Sequence, residues 1–231
     1  MYRCEALSIS GFVQQLAVSY LTHGYFFYVT GFIPEGKDPR VIDQKLIEKY
    51  GIDRSKWARA RQKEAGYANM QYLRHQRFFV LLATHGHHRF FQDEARVIQD
   101  ARKRPIKFAG YAISVHSGHA HVRIGQKIYQ QLKSYLLSLA LHRSGENIEA
   151  EFRKLHYEPY APVRRQLLSI LRAVNDRRRS ARYEPLRSSC VRLRRRIVRP
   201  FDDLELGGSE HAIAVTMERG QKETVTTAGR S

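Results

Sequence analysis

The sequence predicts an α+β protein, with a sheet-bearing N-terminal part followed by a helical part dense in arginine. Three observations carry this. Aromatic and β-branched runs such as Tyr25–Ile33 and Phe78–Ala83 alternate with amphipathic stretches up to Ile124. Beyond Gly125 the apolar residues recur at helical spacing. Thirteen arginines then crowd between Arg164 and Arg199.

Phe12, Val13, Leu16, Ala17, Tyr20 and Leu21 form one apolar stripe and predict a helix over 12–23, stopped by Gly24. Residues 25–33 read as a strand and 34–37 as a turn. Asp38-Pro39 supplies an N-cap and a first-turn proline, with Ile42, Leu46, Ile47 and Tyr50 as the buried stripe. A second helix is expected over 53–65. Tyr67–Arg74 and Arg77–Thr84 read as a hairpin about His75-Gln76, with Phe78–Ala83 fully buried. A helix over 92–102, a strand over 106–115, a turn at Ser117-Gly118 and a strand over 119–124 follow. The first six steps of this order match the split β-α-β layout of ferredoxin-like folds, so residues 1–124 are expected as a ferredoxin-like core with an antiparallel or mixed sheet.

Residues 125–200 are expected as a helical basic region. Ile128, Leu132, Tyr135, Leu136 and Leu139 mark one helix, Ser144 caps a second, and Pro162 opens a third with Val163, Leu167, Leu168, Leu171 and Val174 inward. From Ser180 the core pattern fades. Residues 201–231 turn to Gly, Ser, Thr and Glu and read as a disordered tail.

The totals agree with one domain plus appendages: 231 residues, 42% apolar, and 40 Lys+Arg against 22 Asp+Glu for a net charge of +18. That excess favours polyanionic partners, nucleic acid ahead of an anionic membrane. Cys4 and Cys190 lie near opposite ends and form no Cys-x-x-Cys, which excludes a disulfide framework and a cysteine zinc knuckle. No apolar run reaches the roughly 18 residues of a membrane span, and Met1–Ser10 has no signal-peptide core. A cytoplasmic protein with no membrane contact is expected.

The basic region holds Arg164, Arg165, Arg172, Arg177, Arg178, Arg179, Arg182, Arg187, Arg192, Arg194, Arg195, Arg196 and Arg199, against Asp176 and Glu184 alone. Over half of the excess charge therefore sits in 36 residues. Arginine suits phosphate because its planar fork donates two hydrogen bonds at once. A second patch on the 53–65 helix places Lys56, Arg59 and Lys63 on one face. Trp57, the sole tryptophan, reads first as the core anchor of that helix and second as a base-stacking residue. Tyr25, Phe27 and Tyr72 carry the same pair of readings, core first.

Six of the eleven histidines form two clusters, His85-Gly-His87-His88 and His116-Ser-Gly-His119-Ala-His121. His119 and His121 alternate on a strand and share a face, which can hold one divalent metal ion; Asp93 and Glu94 follow the first cluster closely. Histidines in loops that simply meet water or phosphate are the competing reading. Over residues 24–140 this layout resembles the rolling-circle and single-strand transposase nucleases. His119-Ala120-His121 has the form of their His-hydrophobic-His motif, and Tyr129 and Tyr135 lie on the next helix. The resemblance implies a metal at His119 and His121 and a nucleophilic tyrosine, Tyr129 being better placed. The chain departs from it in having no histidine on Phe78–Ala83, so membership does not follow. Phosphate-loop, Gly-x-Ser-x-Gly and His-Glu-x-x-His motifs are absent.

The expectation is a nucleic-acid-binding protein, DNA ahead of RNA, that works through its arginine-rich C-terminal part as an accessory of a mobile element or replicon. The alternatives are a metal-dependent single-strand nuclease using His119, His121 and Tyr129, and a binder of structured RNA.

Overall fold

Two antiparallel sheets and seven α-helices make up the protein in a computed structural model that describes residues 2–194 and 198–202. Ser8 caps α1 (Ile9–Gln14), which continues through π-helical turns at Gln15–Tyr20 and a 3-10 turn at Leu21–His23, ending at Gly24. Strand β1 is Phe27–Phe32. Helix α2 (Pro39–Lys49) is capped by the Asp38 carboxylate, and α3 (Lys56–Glu64) by the Ser55 hydroxyl. Strands β2 (Met70–His75) and β3 (Phe78–Ala83) form the expected hairpin. After them come α4 (Phe90–Asp93), the two-residue β4 (Gln99–Asp100), and strands β5 (Ile106–Phe108), β6 (Tyr111–His116) and β7 (His119–Ile124). Helices α5 (Gln126–Leu139), α6 (Gly145–Arg153) and α7 (Ala161–Ser180) follow, then a 3-10 turn at Ser188–Cys190.

The first sheet has the order β2-β3-β1-β4, and the second is the meander β5-β6-β7. Both differ from expectation in an instructive way. The segment 92–102 is not a helix. Helix α4 stops after one turn, Tyr50 donates its hydroxyl to Glu94 (2.7 Å), and Ala101 N–H donates to the Phe26 carbonyl (2.8 Å). The chain is thereby drawn alongside β1, with Tyr28 donating to Gln99 Oε1 (2.8 Å). Nor is 106–115 one strand. Ala109 (φ +44°) and Gly110 (φ +81°) form a two-residue turn with both φ positive, which suits the twist of a tight hairpin and splits the run into β5 and β6.

One face of the first sheet packs Tyr72, Leu81 and Ala83 against Tyr50, Ile52 and Phe90. The other face adds Tyr28, Leu73, Val80 and Leu82 to a larger core. That core also takes Phe12 from α1 and Leu16 from the π-helical turns after it, Ile113, Val115, Val122 and Ile124 from the second sheet, and the apolar stripes of α5, α6 and α7. The boundary expected at 124 falls inside this continuous cluster. Tyr25 and Tyr72 are buried, in keeping with their core reading, and Phe27 is half-buried. A buried polar network fastens α2 to the sheet: Asp43 accepts from Arg74 Nε (2.9 Å) and from the Tyr72 hydroxyl (2.6 Å). Among the described residues no helix is long and apolar enough to cross a membrane. The tail expected from 201 lies, beyond Asp202, outside the described residues.

Candidate nucleic-acid interface

Helix α7 is built on Val163, Leu167, Ile170, Leu171 and Val174, all buried, with Pro162 in its first turn. Its opposite face carries the charge. Arg165, Arg172 and Arg179 repeat every seven residues and are exposed, so they line one face at intervals of about 10.5 Å. Arg164 and Arg177 are exposed beside them. Among the described residues Arg179 alone of these pairs with an acid, Asp176 at 2.9 Å, and both partners are largely in water. That pair holds little against a competing phosphate.

Arg178 does not belong to this surface. It is 5% exposed and donates to the carbonyls of Ala140 (3.0 Å) and Glu184 (2.8 Å). Its guanidinium lies 5.4 Å from the centre of the Tyr183 ring. It closes the end of α5 and the turn after α7, where orphan carbonyls need donors. Arg182, at φ +62° in that turn, and Arg194 are exposed. Arg195 and Arg196 lie outside the described residues. Beyond Ser180 the described residues of the basic region form no helix but the 3-10 turn, so this part is less helical than expected.

Gln166 ties α7 to the second sheet, donating to the Ile124 carbonyl (3.1 Å) and accepting from its N–H (2.8 Å). On β6 and β7, His116 pairs opposite His119, Ser114 opposite His121 and Ala112 opposite Arg123. Directly opposed residues share a face, so His116, His119, His121 and Arg123 stand together, away from the core residues Val122 and Ile124. The His116 and His121 rings meet edge to face at 5.0 Å. Burial holds the His121 imidazole below its ordinary pKa, and the nearby positive charges of His116, Arg123 and Arg165 lower it further. Its Nδ1 is buried without a hydrogen-bond partner. Arg165 therefore links the helical stripe to this face of the sheet.

His119 and His121 do share a face, as their alternation predicts. A third metal ligand is missing: among the described residues no group of three or more His, Cys, Asp and Glu side chains is placed to hold a metal ion. The first histidine cluster is engaged in building a loop. His88 Nδ1 accepts from Phe90 N–H (3.1 Å), Asp93 pairs with Lys49 (3.1 Å), and Glu94 is taken by Tyr50. Tyr135 does not join the apolar stripe expected of it. Tyr135 is 47% exposed and donates to Glu151 (3.2 Å) instead of packing with Leu132 and Leu139. Tyr129 is half-buried and packs against the main core cluster, which also holds Val122 and Ile124.

Helix α3 buries none of its residues. Lys56 and Lys63 are exposed, while Arg59 is half-buried, with its carbonyl accepting from the Asn69 side chain (2.9 Å). Trp57 is 79% exposed and is no core anchor. The reason is local: the residues three and four further on are Ala60 and Arg61, so the helix offers the ring a single methyl group as apolar partner.

Fold and surface thus define an α+β protein with an exposed row of arginines on α7, while Arg74 and Arg178 turn inward and brace the fold. No protein-family model matches the chain, and no curated protein is significantly similar to it.

Proposed function

We propose that the protein binds nucleic acid, DNA ahead of RNA, through α7 and the adjoining face of β6 and β7. The observation that carries this reading is the exposed row Arg165, Arg172 and Arg179 on a helix whose other face is core. A row held this way costs little to order on binding, because the helix is already fixed by its buried stripe. Arginine forks spaced along a straight axis can each neutralise a phosphate and release counterions. Arg123 extends the same sign of charge beyond Arg165, on a face it shares with His116, His119 and His121. We also read the first sheet as an abbreviated ferredoxin-like unit. Its support is the all-antiparallel order β2-β3-β1-β4, with helices between β1 and β2 and one helical turn between β3 and β4. Changing Arg165, Arg172 and Arg179 together to Gln and titrating duplex DNA tests the binding reading: affinity must fall while the melting temperature holds.

A further inference from the structure

We propose that α3 and the turn after it form a second contact, specific for unpaired nucleotides, in which Trp57 stacks on a base. The proposal rests on the nucleic-acid-binding reading and adds single-stranded nucleic acid to it as a substrate class.

The geometry is unusual for a structural helix. No residue of α3 is buried, and Trp57 is 79% exposed near its start. Arg61 stands one turn after Trp57 and Arg54 three residues before it, both exposed. Beside them runs a shallow groove with Ala58 and Ala65 as its small residues and Arg54, Arg61, Gln62 and Tyr67 around them. Tyr67 is itself 53% exposed. An exposed indole flanked along the chain by Arg54 and Arg61, which also line the groove with Tyr67, offers what an unpaired nucleotide needs: a flat face for the base and forks for the flanking phosphates. A duplex keeps its bases stacked inside and cannot present a free ring face to Trp57. An acidic peptide would satisfy the arginines but leave both aromatic faces in water.

Trp57 is the sole tryptophan, so its emission reports this site alone. The probe is an oligothymidylate of about ten nucleotides, within the usual footprint of single-strand sites. The full chain is titrated with it, with a duplex of equal length, and with a polyglutamate peptide. Quenching by oligothymidylate, little by the duplex and little by the peptide is expected. In a parallel anisotropy measurement with labelled oligothymidylate, Trp57→Ala weakens binding about 5- to 100-fold and Trp57→Phe restores most of it. Equal quenching by duplex or by polyglutamate overturns the proposal, as does an unchanged single-strand affinity in Trp57→Ala. The Arg165, Arg172 and Arg179 variant separates this from the broader reading. If it binds duplex as the wild type does, the α7 reading fails, whatever Trp57 reports. If duplex binds but Trp57 stays silent to single strands, only the present inference fails.

Discussion

Within the most basic helix of the protein, Arg178 turns inward and donates to the carbonyl of Ala140 at 3.0 Å. Its neighbours Arg177 and Arg179 are exposed. The arginines of α7 therefore fall into two populations, one that holds the fold and one that meets solvent, and the two respond differently to the same substitution.

Arg178→Gln leaves the carbonyls of Ala140 and Glu184 without their charged donor. A loss of about 3 kcal/mol is expected, which lowers the melting temperature by about 6–12 °C for a chain of this size. Arg172→Gln is expected to change stability by less than about 0.5 kcal/mol. Thermal melts of the two variants check this, and similar melting temperatures would show that Arg178 does not brace the end of α5.

This division was partly legible in the sequence. Arg178 stands four residues after Val174 and seven after Leu171, so it extends the buried stripe of α7; a count of charges hides what the helical period shows. The stripe itself, the hairpin of β2 and β3, and the caps at Asp38 and Ser144 follow from local pattern and were readable directly. The turn at Ala109-Gly110 was not, because alanine at positive φ carries no turn signal of its own. The brief strand β4 was hidden for a different reason: Gln99 and Asp100 pair only because β1 lies beside them, a contact made in three dimensions. At the candidate site, the shared face of His119 and His121 was legible from alternation. The outward turn of Trp57 was equally open to reading, since only Ala60 and Arg61 lie one turn further along α3.

The Asp43–Arg74 pair offers a second test of what holds the first sheet. Both side chains are nearly inaccessible, at 9% and 3% exposure, and Arg74 also pairs with Glu5 at 3.0 Å. Asp43→Ala removes one partner and leaves a buried guanidinium undercompensated, so a loss of about 3–5 kcal/mol is expected in urea unfolding. Replacing both as Asp43→Leu and Arg74→Met is expected to recover much of that loss. A single variant as stable as the wild type would contradict the role assigned to the pair.

Acid weakens the fold through two histidines. Burial is the largest cause holding His88 below its ordinary value of 6.5, and the charges of Arg54 and Arg89 act in the same direction. Burial likewise lowers His121. Well above pH 6.5 both imidazoles are neutral, folded or unfolded. As the pH falls through that value the unfolded chain takes up protons that the folded chain resists, so stability declines toward the lower folded pKa. Protonation of His88 Nδ1 would also forfeit the hydrogen bond from Phe90 N–H. Unfolding free energies measured between pH 7.5 and 5.5 should decline less steeply in the double variant His88→Asn, His121→Gln. An equal slope in both proteins would remove these histidines from the account.

The most direct measurement of the central claim is the salt dependence of duplex DNA binding, for the wild type and for the variant with Arg165, Arg172 and Arg179 all changed to Gln. Each phosphate neutralised contributes about 0.9 to the slope of log K against log salt on duplex DNA. A folded variant with weaker binding and a slope shallower by up to about 2.7 is expected. A variant that melts like the wild type and keeps both its affinity and its slope would contradict the assignment of α7 as the nucleic-acid interface.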